Sequence, residues 1–143
     1  NNYFTRPHFL FLRLLHLQTI NRKSDNFTLR KKINIYYYKK LKLINSKKII
    51  IPDFYDFNFQ NYLDFPILVD DKYRFHKFFI KRDIELRLYH YYNCEKIFSK
   101  KTTCKKSEIL SNQLVCLPNH NMITYAYVDN VINLIKKYLR ETN

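Results

Sequence analysis

The sequence predicts one α+β domain, a small antiparallel sheet covered by helices. Three observations carry that expectation. Short apolar, β-branched runs end at or contain prolines, longer stretches repeat apolar residues at helical spacing, and 143 residues suffice for a single core.

From Pro7 to Ile20, Leu10, Leu14, Leu15 and Leu17 recur near helical spacing, with Pro7 where a first-turn proline is tolerated. A short buried helix is expected there. After the polar break from Asn21 to Asn26, the stretch Phe27 to Leu43 places Phe27, Ile33, Tyr37 and Leu41 on one face, with Arg30, Lys31, Lys32, Lys39 and Lys40 elsewhere. This is a longer amphipathic helix. Lys48 to Ile51 reads as a short strand stopped by Pro52, and Asp53 to Asn61 as a polar-aromatic surface loop. Phe65 to Val69 is strand-like, and Pro66 confines it to an edge or to a strand beginning. Asp70 and Asp71 then supply helix-start carboxylates.

Tyr73 to Ile80 carries Phe75, Phe78 and Phe79 at helical spacing, and Glu85 to Tyr91 alternates as a strand, with Leu86, Leu88 and His90 against Glu85, Arg87 and Tyr89. Lys100 to Lys106 is expected as a basic loop, Ser107 to Gln113 as a short helix, and Leu114 to Leu117 as an extended stretch closed by Pro118. The final helix is the clearest element. Thr124 caps it, Asp129 favours its positive end, Val128, Val131, Ile132, Ile135 and Leu139 form one stripe, and Lys136, Lys137 and Arg140 favour its C-terminus.

Composition narrows the chemistry. With 46% hydrophobic and 17% aromatic residues the chain can bury an interior, and its formal charge of +14 attracts phosphate-bearing or acidic partners. Glycine is absent, which excludes Walker loops, GxGxxG turns and the GxSxG nucleophile elbow. The abundance of Lys, Asn, Ile, Tyr and Phe also suits an AT-rich coding sequence, so part of the charge reads as mutational drift. Cys94, Cys104 and Cys116 match neither zinc nor disulfide spacing and read as reduced, structural thiols. The five histidines, His8, His16, His76, His90 and His120, show no metal-ligand pairing, so no metal is expected. Asp70 and Asp71, adjacent in sequence, would splay apart and cannot share acid–base work.

Arg13 and His16 interrupt the longest apolar run, Phe9 to Ile20, which also lacks a small-residue cleavage site. A cytoplasmic protein without a membrane partner is expected, read as a fragment whose upstream part is missing. Tyr36, Tyr37, Tyr38, Lys39 and Lys40 mix stacking rings with ammonium groups, and a basic nucleic-acid-binding protein is the alternative reading. Lysine is spread along the whole chain, however, and no nucleic-acid-binding signature is present. A solvated basic surface is preferred, and nucleic acid is not the expected partner.

Read in order, several segments resemble the C-terminal part of the DegT/DnrJ/StrS family of sugar aminotransferases, which use pyridoxal phosphate. The resemblance begins with Arg6-Pro7-His8 before a helix ending in Gln18, and continues through Arg30 to Leu41, where an arginine precedes a tyrosine and then a leucine. Ile51-Pro52 and Phe65-Pro66-Ile67 are similar to two of the family's strand segments, and Ile84-Glu85-Leu86-Arg87 to its Gly-Ile-Glu-x-Arg strand. Cys116-Leu117-Pro118-Asn119-His120-Asn121-Met122-Ile123-Thr124 and then Val128 to Ile132 resemble its closing turn and last helix.

The resemblance implies the C-terminal domain of a fold type I pyridoxal-phosphate aminotransferase. Residues 1–46 would be a helical segment linking to a large domain absent from this chain, and 47–143 the small α+β domain. The complete enzyme would be a homodimer moving an amino group from a donor such as glutamate to a nucleotide-linked keto sugar. Its catalytic lysine lies upstream of this chain, which carries no catalytic residue of its own and would be inactive alone. Arg6 and His8 would lie on the cofactor side, and Arg87 would meet a sugar-nucleotide phosphate or a donor carboxylate. The competing reading of Arg87 is an exposed strand arginine paired to Glu85 or Asp83. His120 would hydrogen-bond the backbone and hold the last helix. Asp83 stands where the family has glycine, and Phe4 where it has an asparagine that reaches the neighbouring subunit's cofactor, so local distortion is expected at Asp83. Phe54, Tyr55, Phe57 and Phe59 would mark surface that faces missing polypeptide.

Overall fold

The computed structural model describes residue 13 and residues 25–44, 46–51, 64–88 and 104–142. Within them lie four helices and one three-stranded sheet: α1 (Asp25–Lys42), β1 (Ile49–Ile50), β2 (Phe65–Val69), α2 (Lys72–Ile80), α3 (Lys105–Gln113), β3 (Leu114–Leu117) and α4 (Tyr125–Glu141). This is the expected α+β class. The expected first helix over 7–20 falls outside the described residues except for Arg13, which is helical and exposed. The aromatic loop with Phe54, Tyr55, Phe57 and Phe59 also falls outside, as do Cys94, Arg6 and His8.

The sheet order is β1-β2-β3, antiparallel throughout, with Ile49 opposite Val69 and Phe65, Pro66, Ile67 and Leu68 opposite Leu117, Cys116, Val115 and Leu114. Phe65, Ile67 and Val69 alternate inward against Val115 and Leu117, as a period of two requires. Pro66 therefore lies in the central strand and not at an edge, but at the strand's beginning, the other place expected for it. The backbone N–H and C=O of Cys116 both bond to Arg87 on the far side of β3, so the facing Pro66 directs its ring nitrogen away from β3. The β1 strand ends at Ile50, so among the described residues no ladder hydrogen bond is lost there.

The helices bury the stripes read from the sequence. Ile33, Tyr37 and Leu41 of α1 meet Val128, Val131, Ile132 and Ile135 of α4 in the same core that takes in Phe75 and Phe79 of α2. Each of these large side chains, fully buried, contributes about 1.5–3 kcal/mol of apolar transfer energy. Asp71 caps α2 by accepting from the Arg74 N–H at 2.9 Å, and Thr124 caps α4 by accepting from the Tyr127 N–H at 3.2 Å. The α3 helix starts at Lys105, so Lys105 and Lys106 are helical instead of belonging to the expected loop. It is tied to α2 by the ammonium of Lys72, which donates to the backbone carbonyl of Ser111 and whose pKa is lowered by burial.

Of the segment expected as a strand over 85–91, residues 85–88 are described and form a bridge at Arg87 opposite Cys116, and 89–91 lie outside the described residues. Its alternation is nevertheless as read: Ile84, Leu86 and Leu88 are buried, and Glu85 and Arg87 are exposed.

Candidate functional site

Four chain segments converge beside the β3 edge. The first turns on Asp83, whose φ of 58° is left-handed. At the end of α2 the Ile84 N–H donates to the Phe79 carbonyl (3.2 Å) and the Asp83 N–H to the Ile80 carbonyl (3.1 Å), a Schellman closure with Phe79 and Ile84 as its buried pair. The glycine-like demand expected at Asp83 is real, and an aspartate meets it. This turn sends Glu85 and Arg87 outward along the sheet edge.

Arg87 is held by two backbone bonds to Cys116, at 3.2 and 3.1 Å. Its Nη1 reaches both carboxylate oxygens of Asp64, at 3.0 and 3.1 Å. The partner is thus neither Glu85 nor Asp83, because both leave the α2 turn whereas Asp64 enters β2 next to the Arg87 bridge. The guanidinium remains 57% exposed, so this pair contributes on the order of 1 kcal/mol or less to stability. Nη2 and Nε have no protein partner among the described residues.

The floor is polar and rigid. Buried Asn119 donates from Nδ2 to Oδ1 of buried Asn34 at 2.7 Å, and Asn34 donates to the Asp64 backbone carbonyl at 3.5 Å. These bonds fasten α1 to the Pro118–His120 turn and to the start of β2. The Met122 N–H donates to His120 Nδ1 at 3.2 Å, and the Ile123 N–H to the His120 carbonyl at 3.0 Å, so His120 braces the turn before α4 as expected. Together these groups border a cleft of about 340 Å³ lined by Asp64, Asp83, Glu85, Arg87, Cys116, Pro118, Asn119, His120 and Tyr127.

Arg87 is the one predicted site residue that the described structure brings to this cleft. Asp64 and Tyr127, which the sequence did not single out, join it. Asp64 is 23 residues from Arg87, and their meeting depends on sheet register, for which neither local sequence carries a signal. No group of His, Cys, Asp and Glu able to hold a metal occurs among the described residues.

No protein-family model matches this sequence, and no curated protein matches it. Solved structures do. The chain superposes on a DegT/DnrJ/EryC1/StrS aminotransferase from Brucella abortus with a TM-score of 0.70 and 17% identity, covering 85% of this chain and 33% of that one. It superposes on the aminotransferase TlmJ from Streptoalloteichus hindustanus with a TM-score of 0.74 and 16% identity, over 87% and 34% of the two chains. For the sugar aminotransferase CalS13 from Micromonospora echinospora the TM-score is 0.69 and the identity 16%, over 85% and 33%. The fold is therefore that of part of a DegT/DnrJ/EryC1/StrS-type aminotransferase, as the motif order led one to expect, and the chain spans about a third of the length of these structures.

The described cleft does not fit pyridoxal phosphate. Among the described residues no lysine lines it, so they offer no amine for an imine, and Asp64, Asp83 and Glu85 outnumber the one described guanidinium that could meet a phosphate.

Proposed function

We propose that this chain is the C-terminal portion of a pyridoxal-phosphate-dependent sugar aminotransferase and has no transaminase activity by itself. The observation that carries the reading is the superposition of most of the chain on a third of sugar aminotransferases, in the motif order of that family. In the complete cytoplasmic homodimer, cofactor and catalytic lysine would come from upstream polypeptide. Residues 1–46 would connect to it, with α1 anchored in the core of the small domain. Arg6 and His8 would stand on the cofactor side. Arg87 would use Nη2 and Nε, which have no partner among the described residues, to bind a phosphate of the nucleotide-linked keto sugar or the carboxylate of the amino donor, while Asp64 fixes the plane of the guanidinium.

The test uses the purified chain with pyridoxal phosphate, followed by borohydride reduction and mass spectrometry. The expected result is no stoichiometric pyridoxyl-lysine, and one saturated lysine would overturn the reading. Joined to the polypeptide encoded upstream of Asn1, the chain should support transamination. Arg87→Met should then raise KM for the sugar nucleotide or the donor.

A further inference from the structure

The folded chain gathers cations that the sequence scatters. Tyr36 and Lys40 of α1 lie against Tyr125 and Asp129 of α4: the Tyr36 hydroxyl donates to both Asp129 oxygens at 3.1 and 3.0 Å, Lys40 Nζ sits 2.9 Å from the same carboxylate, and the two tyrosine rings pack edge to face at 4.8 Å. These contacts place two helical rows side by side. On α1 the row is Lys32, Tyr36 and then the adjacent pair Lys39 and Lys40, three and four residues beyond Tyr36, and on α4 it is Tyr125, Asp129, Asn133, Lys136 and Arg140, stepping by three or four residues. Lys32, Lys39, Lys136 and Arg140 are exposed, and among the described residues none of them forms a close ion pair with a carboxylate, Lys136 acting on Asp129 only at longer range. The seam thus presents five cations around one carboxylate, which Lys40 and Tyr36 already occupy, and one end of it carries Tyr125, 47% exposed.

We propose that this α1–α4 seam binds a single-stranded nucleic acid, its phosphodiester backbone following the two lysine-arginine rows and a base stacking on Tyr125. The partner is chosen by charge complementarity and by the ring. A polyanion gains by releasing counterions along a line of cations, and an exposed aromatic beside that line is what an unpaired base requires. An anionic bilayer is the weaker match, because the two rows carry no aliphatic side chain to insert. The proposal stands apart from the aminotransferase reading, since seam and cleft share no residue and each can fail alone.

The test is fluorescence anisotropy of a labelled oligodeoxythymidylate titrated with the full chain over a series of salt concentrations. Saturable binding is expected, with a slope of log K against log salt of about −3 for four phosphate contacts, those of the seam cations other than Lys40. Lys39→Glu/Arg140→Glu should weaken binding by at least about tenfold. Tyr125→Ala should weaken it by at least about fivefold. Lys105→Glu/Lys106→Glu, the same charge change on exposed α3 positions, should leave it within about twofold, with circular dichroism confirming the fold of each variant. Absence of saturable binding at low salt would overturn the proposal. So would an equal loss from the α3 reversal, which would mean that net charge alone binds. Adsorption to phosphatidylserine vesicles without oligonucleotide binding would also overturn it.

Discussion

Tyr37 gives the sharpest test of how this core is held together. Its side chain is fully buried between α1 and the sheet, its ring 5.3 Å from that of Phe65, and its hydroxyl is buried with no hydrogen-bond partner among the described residues. A buried polar group left in that state costs about 1–3 kcal/mol. Tyr37→Phe removes the group, keeps the ring and forfeits only the packing of one oxygen. It should therefore raise stability at neutral pH by about 1 kcal/mol, or roughly 3–5 °C in Tm. Burial, reinforced by Tyr127, also pushes the Tyr37 phenol far above its ordinary value of 10.0. The folded state then favours the protonated phenol. The associated stability is fully present below the unfolded value and is lost as pH rises above it, because the unfolded chain binds fewer protons there, by up to about 1.4 kcal/mol per pH unit for one group. Tyr127 and Tyr138, both raised by burial, add to the same alkaline limb. Urea unfolding followed by circular dichroism, at neutral pH and in an alkaline series, reads both effects. A loss of about 1 kcal/mol or more at neutral pH in Tyr37→Phe would show that the hydroxyl is satisfied, and the reasoning would fail.

Asp83→Gly relieves a side chain held at φ 58° and should stabilise the fold by about 0.5–1 kcal/mol, read as a rise in Tm; a fall would mean that the aspartate side chain itself holds the turn. Asp129 has its carboxyl pKa lowered by the hydrogen bond from Lys40, with help from Tyr36. Stability from this group is present above the unfolded carboxyl's pKa and lost as pH falls through the folded one, so Asp129→Asn should flatten the acid decline of Tm, and an unchanged decline would count against the α1–α4 contact. Thr124→Ala should cost about 1 kcal/mol through loss of the α4 cap, with Thr124→Ser restoring most of it in thermal melts.

What the sequence made legible was whatever depends on period and cap. Val128, Val131, Ile132 and Ile135 repeat at helical spacing and are buried together, and Thr124 and Asp71 cap the helices they precede. Contacts set by register were hidden. Arg87 belonged visibly to an alternating segment, but nothing near it indicates that Asp64 lies across the sheet edge. Lys72 was hidden for a different reason. A lysine at a helix start reads as exposed, and only the approach of α3 supplies the Ser111 carbonyl that lets its ammonium sit buried. Asp83 lies between these cases, since the demand for a left-handed residue follows from the helix end, and the substitution of glycine there could be read directly.

Codon drift, if it supplies part of the positive charge, does not explain where the carboxylates sit. Of twelve acidic residues, Asp64, Asp83 and Glu85 converge on one cleft, although Asp64 comes from a different segment than the other two, in a chain with a formal charge of +14. The α1–α4 seam holds the opposite balance, five cations around Asp129. Such a separation directs an approaching polyanion toward the seam and away from the cleft, within the roughly 8–10 Å over which exposed charges act in ordinary salt. A small anion bound at Arg87 must instead displace or share Asp64 at short range, where screening is weaker. Oligonucleotide binding should therefore be strongly salt-dependent, whereas any sugar-nucleotide affinity of the assembled enzyme should respond to Arg87→Met more than to ionic strength.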